Sequence, residues 1–344
     1  MHEMRLFRMD RLSVVEIHGN DACTIAHNLT TQAIRDLPEG HSTETFVTDV
    51  KGKMVGHVIV LKDKDCLRLI GPSGQSQAIA EHIDRYIIRE DATVSVHDDE
   101  YSGLVISSAL ADAILEDHAD TNMVSDEKHT AQQSSANTRT DHRQQAHTIL
   151  INQKACWTIS VPWLSGKTPS TTGVNHSHAH LVLVPKEETE KTQAWISSTY
   201  PCTQEDEDAF HRQRTYAGFP WFGIDLNQSN LPQEADRDSQ TISFTKGCYL
   251  GQETIARLDA MGQVQKKLVR WQIEGDRPEP GATVTAEEKT VGRLTSVAEV
   301  NEGIFAIGPA RRTHFDPGSI GTVTANENHD PSAGSPTATA TVIE

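Results

Sequence analysis

The chain of 344 residues is long enough for two or three domains with a real hydrophobic core, and its formal net charge of -17 excludes a non-specific nucleic-acid surface, which needs concentrated Lys and Arg. Five cysteines, an odd number with no CxxC pair, oppose a disulfide framework or a structural zinc site, so no metal is expected. No apolar run approaches membrane-spanning length, and MHEMRLFRMD lacks the apolar core of a signal peptide; a cytoplasmic protein with no membrane partner is expected. In chain order, Arg11 to Ile17 predicts a strand. Asn20 then caps a helix bearing Ala22, Ile25, Ala26 and Leu29 at helical spacing. Thr45 to Leu61 predicts two strands around a turn at Asp49–Gly52, and Cys66 to Ile70 a third. Ser73 is placed as the cap of a second helix with Ile79, Ile83, Tyr86 and Ile87 on one face. Helices laid on sheets in this way predict an α+β body over 1–263.

Composition shifts near Ala119, and residues 120–148 are so poor in apolar side chains that they read as a disordered insertion. Strands are predicted at Ala155 to Val161 and His178 to Val184, then a helix over about Glu187 to Ser197. A further helix follows a Thr203 cap, with Asp206 in capping-box position and Gly218 at its far end. From 264 to 325 short strands separated by Gly, Pro and Glu-rich turns predict a small β-barrel: Leu268 to Ile273, Ala282 to Ala286, Thr290 to Val300, Ile304 to Ile307 and Ser319 to Thr324. Residues 326–344 read as a flexible tail.

The chemistry concentrates in Lys246-Gly247-Cys248-Tyr249-Leu250-Gly251-Gln252-Glu253. Two glycines flank a cysteine, and TIARLD behind it opens a helix. A helix N-terminus and a lysine two residues away both favour a thiolate, so Cys248 is the candidate nucleophile or ligand and Lys246 its activator. The glycines allow close approach of the backbone to a ligand. Elsewhere, His176, His178 and His180 alternate in NHSHAHL, which fits a metal site or an ordinary strand end. Trp221 and Phe222 fit either core packing or a ligand channel.

The string KGCYLGQE resembles the signature of YgfZ-type folate-binding proteins of the glycine-cleavage T-protein (aminomethyltransferase) superfamily. RTYAGFPWFGIDLNQSNLPQE, ETIARLDAMGQVQKKLV, VGRLTSVAEV and HNLTTQAIRDLPEGHSTETFVTDVKGKMVGHVIV are similar to further segments, so the resemblance spans about residues 10 to 325. It implies a ring of two interleaved ferredoxin-like modules plus a C-terminal β-barrel, with tetrahydrofolate or a one-carbon derivative in a central channel. Support of iron–sulfur client enzymes, through their assembly or repair, is the implied role. On this resemblance the folate-binding set is Gly247, Tyr249, Gly251, Gln252, Glu253, Asp225, Trp221 and Arg257, with Cys248 and Lys246 as the reactive pair. Two departures stand out. Gly56–His57 falls where aminomethyltransferases place an acidic pair, and Arg214-Thr215-Tyr216-Ala217-Gly218 lacks the glutamate of Arg-x-Glu-x-Gly. The first removes the carboxylate that one-carbon transfer needs. A folate-dependent transferase and a folate-free adaptor are the alternatives.

Overall fold

A computed structural model describes residues 3–118, 143–151, 154–164, 179–262, 264–324 and 338–344. Two six-stranded sheets form the body. One runs, in spatial order, Thr203–Glu205, Arg5–Met9, Tyr101–Ile106, Ala179–Pro185, Lys154–Val161, His147–Ile151. The other runs Thr93–Val96, Leu12–His18, Cys66–Pro72, Met54–Lys62, His41–Thr48, Gln144–Gln145. The chain enters the first sheet, crosses to the second for five strands, returns for one, pairs Gln144–Gln145 in the second, and finishes in the first. The two modules are therefore interleaved.

Strand periodicity explains the layering. Along Leu12–His18, Leu12 and Val14 point into a core shared with Phe7, Met9, Ile159 and Leu181 of the other sheet. Val15 and Ile17 point the opposite way, against helices Ala22–Leu29 and Ser76–Asp84. Leu6, beside Phe7, likewise turns toward helices Ser108–His118 and Thr189–Thr199. Successive side chains alternate faces, so both faces of the central strands are covered, and strands such as Met54–Lys62 and Ala179–Pro185 read as nearly unbroken apolar runs.

Local capping departs from the sequence expectation. The second helix starts at Ser76, not after Ser73, because Ser13 Oγ on the neighbouring strand accepts the N–H groups of Gln75 and Ser76, each at 3.1 Å. Thr203 lies in a strand, and Asp206 is itself the cap of helix Glu207–Ala217, accepting Ala209 N–H at 2.8 Å. Gly218 ends that helix at φ 84°, a left-handed C-cap.

Six strands close the C-terminal barrel: Lys266–Gly275, Ala338–Ile343, Ile320–Thr324, Thr283–Ala286, Lys289–Arg293 and Gly303–Arg311, which pairs back to the first. Ser296–Val300 hangs outside the ring on Gly303–Arg311. The expected single strand over Thr290 to Val300 is thus two, broken at Leu294–Thr295. Residues 338–343 are not tail. Their alternation puts Ala338, Ala340 and Val342 inside the barrel around the fully buried Trp271. The expected insertion is likewise too long at its end. Gln144–Gln145 pairs with His41 and Ser42, and His147–Ile151 with Lys154–Val161, as edge strands whose outer sides are free to be polar. The rest of that segment, and 325–337, lie outside the described residues.

Candidate functional site

The loop from Lys246 to Gly251 is clamped against the second module at four places. The Lys246 Nζ donates to the carbonyls of His27, Thr30 and Gln32 at 2.6, 2.7 and 2.8 Å, where helix Ala22–Leu29 ends and its last carbonyls lack intrahelical partners. Leu250 N–H donates to Asn28 O at 2.8 Å, and Thr48 Oγ1 donates to Leu250 O at 2.8 Å. Gly251 adopts φ 80°, and a Cβ there would meet Asp49 O at 2.5 Å and Gly52 Cα at 2.6 Å. Only glycine fits a left-handed position packed against another backbone. Behind it, Gln252 opens helix Gln252–Met261 and folds back on the loop, its N–H donating to Tyr249 O at 3.2 Å.

Between these fixed points Cys248 is exposed. It borders a groove of about 500 Å³ with Ile25, Asn28, Leu29, Tyr86 and Tyr249. That volume lies in the range of small-molecule sites, and the lining is mostly apolar, with the Asn28 amide and the Glu90 carboxylate to orient a ligand. Tyr249 is pinned by Ile242 and Ile255, and burial pushes its phenol up to about 12. Gly247 is exposed, and a Cβ there meets nothing within 4 Å. Burial, with Arg35 as a smaller contribution, pushes the Lys246 ammonium down to about 7. Its three carbonyl partners oppose that shift by favouring the charged form.

Two buried ionic clusters stand apart from the groove. Arg237 grips Glu44 with Nε to Oε1 at 2.7 Å and Nη2 to Oε2 at 2.6 Å, and His57 Nε2 lies 2.6 Å from Glu44 Oε1. Burial raises the Glu44 carboxyl, but Arg237 and His57 outweigh it and hold the pKa at about 2. The His57 ring lies between Phe46 and Phe219, with centroids at 4.6 and 5.7 Å, and its Nδ1 is buried without a partner. In the second cluster Arg214 Nη1 donates to Asp225 Oδ2 at 2.7 Å and Nη2 to Ser296 Oγ at 2.9 Å. Asp225 also accepts from Thr295, Ser296 and the Trp221 N–H.

No family model matches the chain. It is 38% identical over 93 residues to the mitochondrial iron–sulfur cluster assembly factor IBA57 of Mus musculus, which is 25% of this chain and 26% of that protein. It is 19% identical over 329 residues to the tRNA-modifying protein YgfZ of Shigella dysenteriae, covering 92% of this chain and 88% of that one. The matches to the first curated relatives span only 20% and 26% of their lengths. The crystal structure of aminomethyltransferase T of the Bartonella henselae glycine cleavage system superposes with a TM-score of 0.74 at 12% identity, covering 98% of this chain and 85% of that one. The chain is similar to YgfZ-type proteins over most of its length, and its fold is that of the glycine-cleavage aminomethyltransferase T.

Within this fold the residues singled out from the sequence divide into three groups. Cys248 and Tyr249 meet in the groove, and Gly247 lies exposed between them and the lysine. Lys246, Gly251 and Gln252 hold the loop in place; the Lys246 N–H bonds all go to carbonyls, so it is an anchor rather than a reactive partner of the thiol. Glu253 and Arg257 are exposed on the helix behind. Trp221 and Asp225 belong elsewhere. Trp221 packs edge-to-face on Trp163 and Phe210 in the central core, and Asp225, with 0% side-chain exposure, has both oxygens occupied by the tie to the barrel. Neither has a face left for a folate.

Sequence reasoning missed Asn28, Thr48 and the Glu44–Arg237–His57 cluster. A glutamate inside the strand HSTETFVT was the available signal, since a buried carboxylate demands a cationic partner. That cluster also bears on the missing acidic pair. Glu44 lies beside the Gly56–His57 position, on the adjacent strand, but a carboxylate bound by a guanidinium on both oxygens does not take up a proton near neutrality. His180 lies on Ala179–Pro185; His176 and His178 fall outside the described residues. Among the described residues, no helix is long and apolar enough to cross a membrane.

Proposed function

We propose that this protein is a folate-associated accessory factor that supports iron–sulfur cluster enzymes, with Cys248 as its working group. The observation that carries this reading is an exposed thiol on a loop anchored on both sides, at Lys246 and at Leu250–Gly251. Fixing the backbone while leaving the sulfur free presents a soft donor without an ordering cost on contact. Iron in a cluster takes thiolate sulfur in preference to harder ligands. The names of the relatives, an iron–sulfur assembly factor and a tRNA-modifying protein, support the same direction.

The folate part of the proposal seats a reduced folate in the groove beside Cys248. Tyr86 and Tyr249 offer faces and edges to a flat heterocycle, Leu29 and Ile25 an apolar floor, and Asn28 a hydrogen-bonding amide. Asp225 and Trp221 take no part. With Glu44 neutralised by Arg237, the reading does not include aminomethyl transfer.

The deciding experiment is complementation. In cells lacking this protein, wild type restores the activity of iron–sulfur enzymes and Cys248→Ser does not, although both accumulate as folded protein. Equal restoration by Cys248→Ser removes the thiol from the function. Separately, a reduced folate at about 100 times its dissociation constant stabilises the native state by roughly 2.7 kcal/mol. No thermal shift with any reduced folate favours the folate-free adaptor.

A further inference from the structure

On the opposite face of the second sheet from the Cys248 loop, metal-binding side chains converge from three neighbouring strands. Leu12–His18 lies between Cys66–Pro72 and Thr93–Val96, with His18 opposite both Cys66 and Thr93, and Glu16 opposite both Arg68 and Ser95. Residues two apart on a strand share a face, so Glu16, His18, Cys66 and Arg68 stand together. One donor atom from each of Glu16, His18 and Cys66 lies within 4.8 Å of the other two. His97, just beyond the end of Thr93–Val96, brings its Nε2 to 3.7 Å from Glu16 Oε2.

The hydrogen bonds around these rings fix where their lone pairs point. His18 Nδ1 lies 3.2 Å from the carbonyl oxygen of Asp65, which can only accept, so Nδ1 carries the hydrogen. The same reasoning assigns the His97 hydrogen to Nδ1, 2.9 Å from Glu100 Oε1. In the neutral rings the His18 Nε2 lone pair therefore faces the Glu16 carboxylate at 3.0 Å, while that of His97 is directed at Ser95 Oγ and lies 3.7 Å from Glu16. Ser95 Oγ lies 2.7 Å from His97 Nε2, and His18 Nε2 meets the Glu16 carboxylate at hydrogen-bond distance. A proton or a metal cation held between them makes that contact attractive. An imidazole whose outward N–H is held by a carbonyl or carboxylate is the usual second layer of a metal-bound histidine. Glu16 is steadied in the same way, its other oxygen accepting Arg68 Nε at 2.7 Å. Glu16 and Asp63 both pair with the single Arg68 of this cluster and Glu100 pairs with His97, leaving an excess of negative charge for a divalent ion.

We propose that Glu16, His18, Cys66 and His97 form a binding site for a divalent, borderline-soft cation, zinc being the one whose preferences match. Two imidazole nitrogens, one thiolate and one carboxylate oxygen are a zinc donor set. Donors of a tetrahedral zinc lie roughly 3.3–3.8 Å apart, so the Glu16, His18 and Cys66 donors need to close by about an ångström, and His97, which lies outside that triad and near Glu16 alone, has to swing further in. The His18 side chain is 43% exposed and gives an entry path, while Cys66 is buried beneath it. The sequence expectation of no metal rested on the lack of a spaced Cys/His pattern. Positions 16, 18, 66 and 97 become neighbours only through strand pairing. Because the site lies across the sheet from Cys248, it is independent of the function proposed above.

Titration of the metal-free full-length protein with Zn2+ against a chromogenic chelator, and with Co2+ as a spectroscopic probe, tests this. One equivalent of Co2+ should give tetrahedral d–d bands and a thiolate-to-cobalt charge-transfer band. Cys66→Ser should remove the charge-transfer band, His18→Ala should weaken Zn2+ binding at least tenfold, and Glu100→Gln should weaken it by roughly 10–100-fold. Cys248→Ser should change none of these. If Cys66→Ser does not fold, His18→Ala, at the exposed end of the strand, still decides: Zn2+ should raise the Tm of wild type and not of this variant. Absence of binding, binding indifferent to His18→Ala, or a charge-transfer band lost with Cys248→Ser instead each overturns the proposal.

Discussion

The Lys246 ammonium stands 2.7 Å from the carbonyl oxygen of Thr30, and this contact joins the cysteine loop to a helix end more than two hundred residues earlier in the chain. Helix Ala22–Leu29 exposes its last carbonyls to whatever cation is near, and Lys246 satisfies His27, Thr30 and Gln32 together. The loop that carries Cys248 is thereby positioned by the second module, although it belongs to the segment that leads into the barrel.

Lys246→Met keeps the stem and removes all three hydrogen bonds. Leaving buried carbonyls unpaired costs about 1–3 kcal/mol, so the melting temperature should drop. If the lysine acted on the thiol instead, stability would hold while the alkylation rate of Cys248 changed; thermal melts and alkylation kinetics on one preparation separate the two.

The two glycines beside the cysteine should behave differently. Gly251→Ala forces a Cβ into Asp49 O and a side chain into φ 80°, and a strained left-handed residue of this kind costs on the order of 1–3 kcal/mol. Gly247→Ala meets open space and should change stability by less than about 0.5 kcal/mol. Denaturant melts measure both. A loss of client-enzyme support in Gly247→Ala at unchanged stability would place a ligand or partner against that backbone.

Much of this site was legible because it is local in sequence. The turn at Gly251 and the helix start behind Cys248 are written in eight consecutive residues, and Gly218 marks its own helix end. What was not legible comes from pairing across the chain. Ser13 caps a helix from a neighbouring strand, and residues 338–343 close a barrel although their alternating Ala and Thr resemble a tail. Asp225 sits in a segment that resembles a folate-binding stretch, but only the fold shows Ser296 and Arg214 saturating its carboxylate.

Asp225→Asn should therefore act on stability rather than on folate affinity. Removing one partner of a pair buried to 1% and 0% side-chain exposure leaves the Arg214 guanidinium uncompensated, which costs about 3–5 kcal/mol. Because Asp225 also receives Thr295 and Ser296, the barrel should loosen on the body, with faster proteolysis near residues 262–266. A variant of wild-type stability that no longer binds folate would return Asp225 to the ligand site.

Glu44 sets the behaviour of the body in acid. Its carboxyl is held at about 2 in the folded protein, against 4.5 for the unperturbed group, through the bidentate Arg237 contact and His57. The unfolded chain therefore binds the proton more readily than the fold does. This contribution to stability is fully present above about pH 4.5 and is lost as the pH falls through about 2. A shift of that size corresponds to about 3 kcal/mol. In Glu44→Gln the group no longer titrates, so the variant should be less stable than wild type near neutrality, and the gap should narrow as the pH is lowered from 4.5. Stability measured by denaturant melts at steps of pH gives both curves. Parallel curves for the two proteins would mean that Glu44 is not the carboxylate whose ionisation the fold depends on.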